Sequence, residues 1–392
     1  MNTPVHFYSG GPIFDGSKLH HNCLARFEAG RLVEIFDGVS PPAGARCTDL
    51  AGDILSPGFL DLQVNGGDGI MLNEAINPEG LRRIAAAHRR LGSVQILPTL
   101  ITDTAAKTRA TIEATKQAIA EGVPGIAGLH LEGPHLSISR KGAHDADLIR
   151  PMTEEDLDYL VDAAESLPAL LLTIAPENVS VQQVSTLARA GAIISLGHSD
   201  ADYETAIAYA EAGASAVTHL FNAMSQLGNR MPGIVGAALE CTKLNAGLIA
   251  DGIHVHPSTM RAAWTAKTSA NQDGSTQVLP RASEIFLVSD AMAPAGSDIQ
   301  SFELEGRRIS RENGRLTLED GTLAGADLDL TTAIRVLTQQ CDVPLKDALA
   351  AAIATPRRVI GAWGGGESAL GLAESQFIKI KADLSSAHPV VE

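Results

Sequence analysis

Eight short apolar runs recur between about residue 58 and residue 340, and stretches of helical periodicity separate most of them. They read FLDLQV (59–64), VQILPT (94–99), IAGLHL (126–131), LLLTIA (170–175), AIISLG (192–197), SAVTHL (215–220), AGLIAD (246–251) and IFLVSD (285–290). Runs that are apolar throughout, rather than at alternate positions, suit strands of a parallel sheet covered on both faces. The intervening stretches carry helix punctuation. LRRIAAAHRRLG (81–92) ends on Gly92, and TAAKTRATIEATKQAIAEG (104–122) follows Asp103 and ends on Gly122. SVQQVSTLARAG (180–191) and DYETAIAYAEAG (202–213) repeat the order of capping residue, helix and glycine. Eight such units favour a closed (β/α)₈ TIM-type barrel over an open doubly wound sheet, and no GxGxxG follows a strand to suggest a dinucleotide site.

The two ends of the chain read differently. Residues 1–57 hold short alternating segments broken by Gly and Pro, and SQFIKIKADL (375–384) returns to that pattern. The expected organisation is a small β-domain from residues 1–57 and 361–392 flanking a barrel of residues 58–360. A β-hairpin insertion near 302–325 carries the turn signal Asn313–Gly314 after the last barrel strand, which places it near the mouth of the barrel.

In such a barrel the C-terminal ends of the strands converge on one face, where active sites are built. Four runs deliver a polar residue there: Glu132 in LHLEGPH, His198 in SLGHSD, His219 in AVTHLFNAM and Asp290 in FLVSDAM. A single strand histidine is commonly structural; two at equivalent ends of consecutive strands, with a carboxylate, make a divalent-metal set. Asp290 is then expected as the general base that takes a proton from metal-activated water. The first run ends in Gln63 and Asn65, and neutral amides are poor ligands for divalent transition metals, which points to one ion rather than two. A catalytically silent scaffold has no reason to keep both the ligand set and a base.

Charge and cysteine usage narrow the partners. Lys and Arg number 30 against 46 Asp and Glu, a net charge of −16, which argues against nucleic acid. No apolar run reaches the roughly 18 residues needed to span a bilayer, and no signal peptide is visible, so a cytoplasmic protein with no membrane partner is expected. The four cysteines are widely spaced without a CxxC, as for reduced buried thiols.

Six segments in one order carry a resemblance: PGFLDLQVNGGDG, LHLEGPH with KGAHD after it, GHSDA, THLFNAMS, ADGIHVHP and VSDAMAPAG. Together they resemble the N-acetylglucosamine-6-phosphate deacetylases of the amidohydrolase superfamily, from about residue 50 to about residue 360. The resemblance implies a (β/α)₈ barrel with a small β-sandwich from both termini, usually as a homodimer. It also implies hydrolysis of the 2-acetamido group of a phosphorylated amino sugar to acetate and glucosamine 6-phosphate. Carried over by motif, the metal ligands are Glu132, His198 and His219, and the catalytic residues are Asp290 as base and acid and His144 as the group that polarises the amide carbonyl. One divalent ion is implied, with zinc suited to a His₂Glu set and iron, manganese or cobalt also fitting. Substrate contacts are expected from Ala143, His144, Asn222, Ala223, His254 and Leu323, with Arg230 reaching the phosphate from the neighbouring subunit. His256 competes with His254 but stands just before Pro257, where a structural role fits better. Asp327 and Asp329 follow GTLAG, and acidic residues there would disfavour a phosphate. The alternative is another amidohydrolase acting on a different N-acetylated amino sugar or a cyclic amide.

Overall fold

The computed structural model describes residues 5–38, 40–270, 284–304, 306–362 and 368–391. The expected domain spans 1–57 and 361–392 and the insertion at 302–325 therefore include residues outside the described ones, among them Glu305 and 363–367. Eight parallel strands form one sheet in sequential order: β1 (Phe59–Val64), β2 (Ser93–Ile101), β3 (Leu129–Glu132), β4 (Leu170–Ile174), β5 (Ile193–Leu196), β6 (Ala214–Val217), β7 (Asn245–Leu248) and β8 (Ile285–Leu287). Seven helices lie between consecutive strands: α1 (Pro78–Arg90), α2 (Ala105–Ala120), α3 (Glu154–Ser166), α4 (Val181–Arg189), α5 (Tyr203–Ala212), α6 (Gly233–Glu240) and α7 (Pro257–Ala270). After β8 come α8 (Leu330–Gln340) and α9 (Leu345–Val359), and α9 packs against both β8 and β1. This is the (β/α)₈ barrel that the eight apolar runs predicted.

The helices begin where the capping residues stand. The Asn77, Thr104 and Asp202 side chains accept from the third backbone N–H of α1, α2 and α5, and Ser180 forms a reciprocal capping box with Gln183 on α4. Strand β3 starts later than its apolar run. Gly128, just before it, has φ +156°, and a Cβ there would lie 2.2 Å from the Ala169 carbonyl oxygen, so the position requires glycine.

The barrel closes through few bonds. At the top, Val64 bridges Ala291, and the Asp290 N–H donates to the Gln63 carbonyl at 3.1 Å. Lower down, the fully buried Asp61 carboxyl fills the seam and accepts from the Ser289 N–H at 3.2 Å and from the Gln63 N–H at 3.2 Å. Burial pushes the Asp61 carboxyl up to about 7, with the nearby Asp290 charge adding to the shift and the hydrogen bonds from Ser289 and Gln63 opposing it. A carboxyl raised on folding stabilises the fold fully below its unfolded value near 3.8, and that contribution is lost as pH rises through about 7. Between pH 5 and pH 8 the melting temperature of Asp61→Asn is therefore expected to move by about 3 °C or more relative to the wild type, in the variant's favour. Parallel pH dependences in thermal melts would exclude it.

Two small sheets flank the barrel. One has the order Arg31–Asp37, Cys23–Glu28, Val5–Ser9, Arg46–Asp49. The other joins Ala387–Pro389 and Phe377–Ile380 to Ile54–Pro57, Ile13–Phe14 and Leu19–His20. They share a core in which Phe27 meets Phe377 edge to face at 5.0 Å, so both ends of the chain build one unit. A three-stranded sheet, Ser301–Leu304, Arg307–Glu312 and Arg315–Thr317, buries Leu304, Ile309 and Leu316 against Met71, Ile101 and Met292 at the top of the barrel. No helix among the described residues is long and apolar enough to cross a membrane.

Candidate active site

The strand ends aim their polar residues inward by leaving the sheet abruptly. His198, His219 and Asp290 have φ of +47°, +32° and +51°, left-handed values that L residues rarely adopt. Each stands two or three residues past its strand, while Glu132 is the last residue of β3. All four are buried. His219 Nε2 lies 3.1 Å and His198 Nε2 3.3 Å from Glu132 Oε1, and the two Nε2 atoms are 3.0 Å apart. Donors at about 2.05 Å from a tetrahedral ion are spaced about 3.3 Å from one another, so the triangle has the size of a metal site. The donor chemistry fits as well. His198 Nδ1 donates to the Arg140 carbonyl at 2.8 Å, which leaves the Nε2 lone pair for a cation. Among the described residues this is the one group of three or more His, Cys, Asp or Glu side chains with converging ligand atoms.

Electrostatics ties the three together. Burial alone would raise the Glu132 carboxyl, but hydrogen bonds and charge from His198 and His219 overcome it and hold the group well below the usual range. Burial alone would lower His219, and its hydrogen bond to Glu132 raises it instead. The buried Glu132 carboxylate thus favours positive charge beside it, whether a proton on His219 or a cation.

The amides of Gln63, in β1, and Asn65, just after it, hold carboxylates. Gln63 Nε2 donates to Glu132 Oε1 at 3.0 Å, and Asn65 Nδ2 donates to Asp290 Oδ1 at 2.7 Å. Burial, reinforced by the Glu132 charge, pushes Asp290 up to about 6, the range of a working general base. Beneath the cluster runs a buried polar chain: His130 Nε2 to Thr173 Oγ1 at 2.8 Å, Thr173 to Thr218 at 2.6 Å, and Thr218 to Ser195 at 2.6 Å. It gives the site a stiff, fully bonded floor.

His144 comes from the loop after β3. Its ring packs edge to face on His198 with centroids 4.5 Å apart, and burial together with the His198 charge pushes its pKa down to about 3. It is therefore a neutral imidazole at physiological pH. Arg307, on the inserted sheet, donates to the Ala143 carbonyl at 2.6 Å and fastens that loop.

These groups open onto a cavity of about 280 Å³. Glu132, His198, His219 and Asp290 line it, together with Ala143, His144, Asn222, Ala223, His254 and Leu323. Arg230 does not; it is exposed on the loop between β6 and α6. His254 Nδ1 donates to Asp251 Oδ2 at 2.6 Å, leaving Nε2 for a ligand, whereas His256 is exposed and its Nδ1 accepts from the Ser258 N–H at the start of α7. Neither Asp327 nor Asp329 lines the cavity. Asp327 accepts from Arg311 at 2.8 Å, and Asp329 caps α8 by accepting from the Thr332 N–H at 2.8 Å. Sequence reasoning passed over Asn65 as a holder of the base, Asp251 as the partner of His254, and Thr102, which contacts His144. Position at a strand end is the one signal that could have pointed to Asn65 and Thr102, and nothing in the sequence points to Arg307.

Residues 54–362 match the amidohydrolase family. The chain is 42% identical to an N-acetylgalactosamine-6-phosphate deacetylase of Shewanella sp. (strain ANA-3) over 79% of this chain and 75% of that one. It is 32% identical to the N-acetylglucosamine-6-phosphate deacetylase of Haemophilus influenzae over 84% of each. The crystal structure of N-acetylglucosamine-6-phosphate deacetylase from Pasteurella multocida superposes with a TM-score of 0.88 at 28% identity, covering 98% of this chain and 97% of that one.

Proposed function

This chain belongs to the amidohydrolase family, and from that premise we propose that it deacetylates an N-acetylhexosamine 6-phosphate, N-acetylglucosamine 6-phosphate foremost, to the amino sugar phosphate and acetate. One observation carries the reading: Asp290, held by Asn65, opens onto the same cavity as the buried Glu132–His198–His219 triangle.

A divalent ion held by Glu132, His198 and His219, zinc by the chemistry of the donor set, would supply the Lewis acidity that acidifies water and polarises a carbonyl. Asn65 fixes one oxygen of Asp290, and the other takes the proton of the attacking water. The water oxygen bonds to the acetamido carbon, and His144 stabilises the negative charge on the carbonyl oxygen. Asp290 returns the proton to the nitrogen as the C–N bond breaks, releasing the amine and acetate. Leu304 and Leu323 supply an apolar wall that limits water around the base.

For the phosphate we propose Asn222, the Ala223 backbone and His254 from this subunit and Arg230 from a second copy in a homodimer. No lysine or arginine lines the cavity among the described residues, although its ligand carries two negative charges. Arg230 lies between Leu227 and Met231, which are 58% and 77% exposed, an apolar setting that suits a surface covered by another subunit. Four cysteines outside any disulfide and a net charge of −16 fit a cytoplasmic enzyme.

The relative at 42% identity supports a second reading, in which the C4 epimer N-acetylgalactosamine 6-phosphate is preferred. Acetate release by zinc-loaded protein separates the readings. The phosphorylated sugars are expected to exceed unphosphorylated N-acetylglucosamine by about 100-fold or more in kcat/KM, since a charged, paired contact is lost. Arg230→Ala is expected to raise KM for the phosphorylated sugar about tenfold while leaving kcat for the unphosphorylated one alone. The ratio of the two epimers decides the sugar, and no release from either phosphate would sink the proposal.

A further inference from the structure

Thr102 follows β2 directly, is 1% exposed, and makes two contacts with one nitrogen of His144. Its backbone N–H donates to Nδ1 at 3.4 Å, and its hydroxyl lies 2.8 Å from the same atom. The hydroxyl also reaches the Glu132 carbonyl at 3.3 Å. Its place is built into the neighbouring turn, because a Cβ on Gly133 would lie 2.2 Å from Thr102 Oγ1.

A backbone N–H cannot accept a hydrogen bond. If Nδ1 carried hydrogen, two N–H groups would face each other in a dry interior. Nδ1 is therefore an acceptor, and the Thr102 hydroxyl at 2.8 Å donates to it in preference to the Glu132 carbonyl at 3.3 Å. A neutral imidazole with Nδ1 as acceptor carries its hydrogen on Nε2. Donation from Nε2 is what a carbonyl oxygen gaining negative charge requires, whereas the other tautomer presents a lone pair to it.

We propose that Thr102 is a positioning residue that locks His144 in the Nε2–H tautomer, so that its hydrogen faces the substrate carbonyl. The proposal rests on the reading of His144 given above. Thr102 spans β2 and the loop carrying His144, so the hydrogen-bonding state of the catalytic imidazole is set from a different β/α unit.

The test compares Thr102→Val, Thr102→Ser, His144→Ala and the double variant Thr102→Val/His144→Ala. Thr102→Val keeps the shape and the backbone N–H but loses the hydroxyl. It is expected to lower kcat about 10- to 100-fold with KM within about threefold, while Thr102→Ser stays within about threefold of wild type in both. In the His144→Ala background the valine change is expected to cost less than about twofold, because the group it positions is gone. Long-range ¹H–¹⁵N spectra of histidine-labelled protein, with His144 identified as the ring missing from His144→Ala, should show Nε2–H in wild type and a mixture of tautomers in Thr102→Val, where the 2.8 Å hydroxyl contact is gone and the 3.4 Å backbone contact is too long to hold one tautomer by itself. A full valine effect in the double variant, a Thr102→Val enzyme as fast as wild type, or an Nδ1–H pattern in wild type would overturn the role of Thr102 while His144 stands. A His144→Ala enzyme as fast as wild type would instead overturn the reading of His144.

Discussion

Asp290→Asn is expected to lower kcat by about 10³- to 10⁴-fold while the protein stays folded and binds metal as before. In the proposed mechanism this buried carboxylate both takes a proton from water and returns it to nitrogen, and it lies outside the Glu132–His198–His219 group while lining the same cavity. Asparagine preserves volume and can still meet Asn65 through its own amide, so the loss reports proton transfer and not collapse. Steady-state kinetics and metal analysis by mass spectrometry on the same preparation check this. A fall in metal content parallel to the fall in kcat would mean that Asp290 is a ligand and that the base lies elsewhere.

His219→Ala is expected to behave oppositely at the metal. It removes one of three converging donors and leaves the buried Glu132 carboxylate with one imidazole instead of two. Bound zinc should fall from about one ion per chain to about a tenth or less, and activity on the order of 10⁴-fold or more. A readout independent of turnover is the melting temperature against zinc concentration. An ion that binds only the native state stabilises by RT ln(1 + [L]/Kd), so the wild type should climb steadily with zinc and His219→Ala should stay flat. The metal-free variant should also melt below metal-free wild type, because an undercompensated charge remains buried. Equal zinc-dependent shifts in both proteins would remove His219 from the ligand set.

The barrel was readable because burial on both faces leaves a coarse record: LLLTIA is apolar at every position but Thr173, and its strand runs Leu170–Ile174, buried along its whole length. Strand ends were less readable. SAVTHL suggested a strand to Leu220, yet β6 stops at Val217 because His219 and Phe221 take left-handed backbone angles that no pattern of apolarity encodes. The residues that converge as Glu132, His198 and His219 were visible as polar groups terminating apolar runs. Their helpers were not. Asp61 and Thr102 act through hydrogen bonds to elements far off in the sequence, and one-dimensional spacing carries no trace of such a partner, whereas Asp251 pairs with His254 only three residues on. The concern that Asp327 would repel a phosphate came from its proximity in sequence to the loop. Its pairing with Arg311, sixteen residues earlier on the inserted sheet, removes it.

The left-handed turns at His198, His219 and Asp290 set the fold and the chemistry at odds. A non-glycine residue in that region costs about 1–3 kcal/mol, and three of the four residues around the proposed metal bear that cost. Glycine would relieve it at each position, and asparagine in part, since both enter this region more readily. A laboratory selection for heat resistance alone, with turnover not demanded, should therefore erode this enzyme from its centre outward, accumulating glycine and asparagine at 198, 219 and 290 before it repacks the barrel wall.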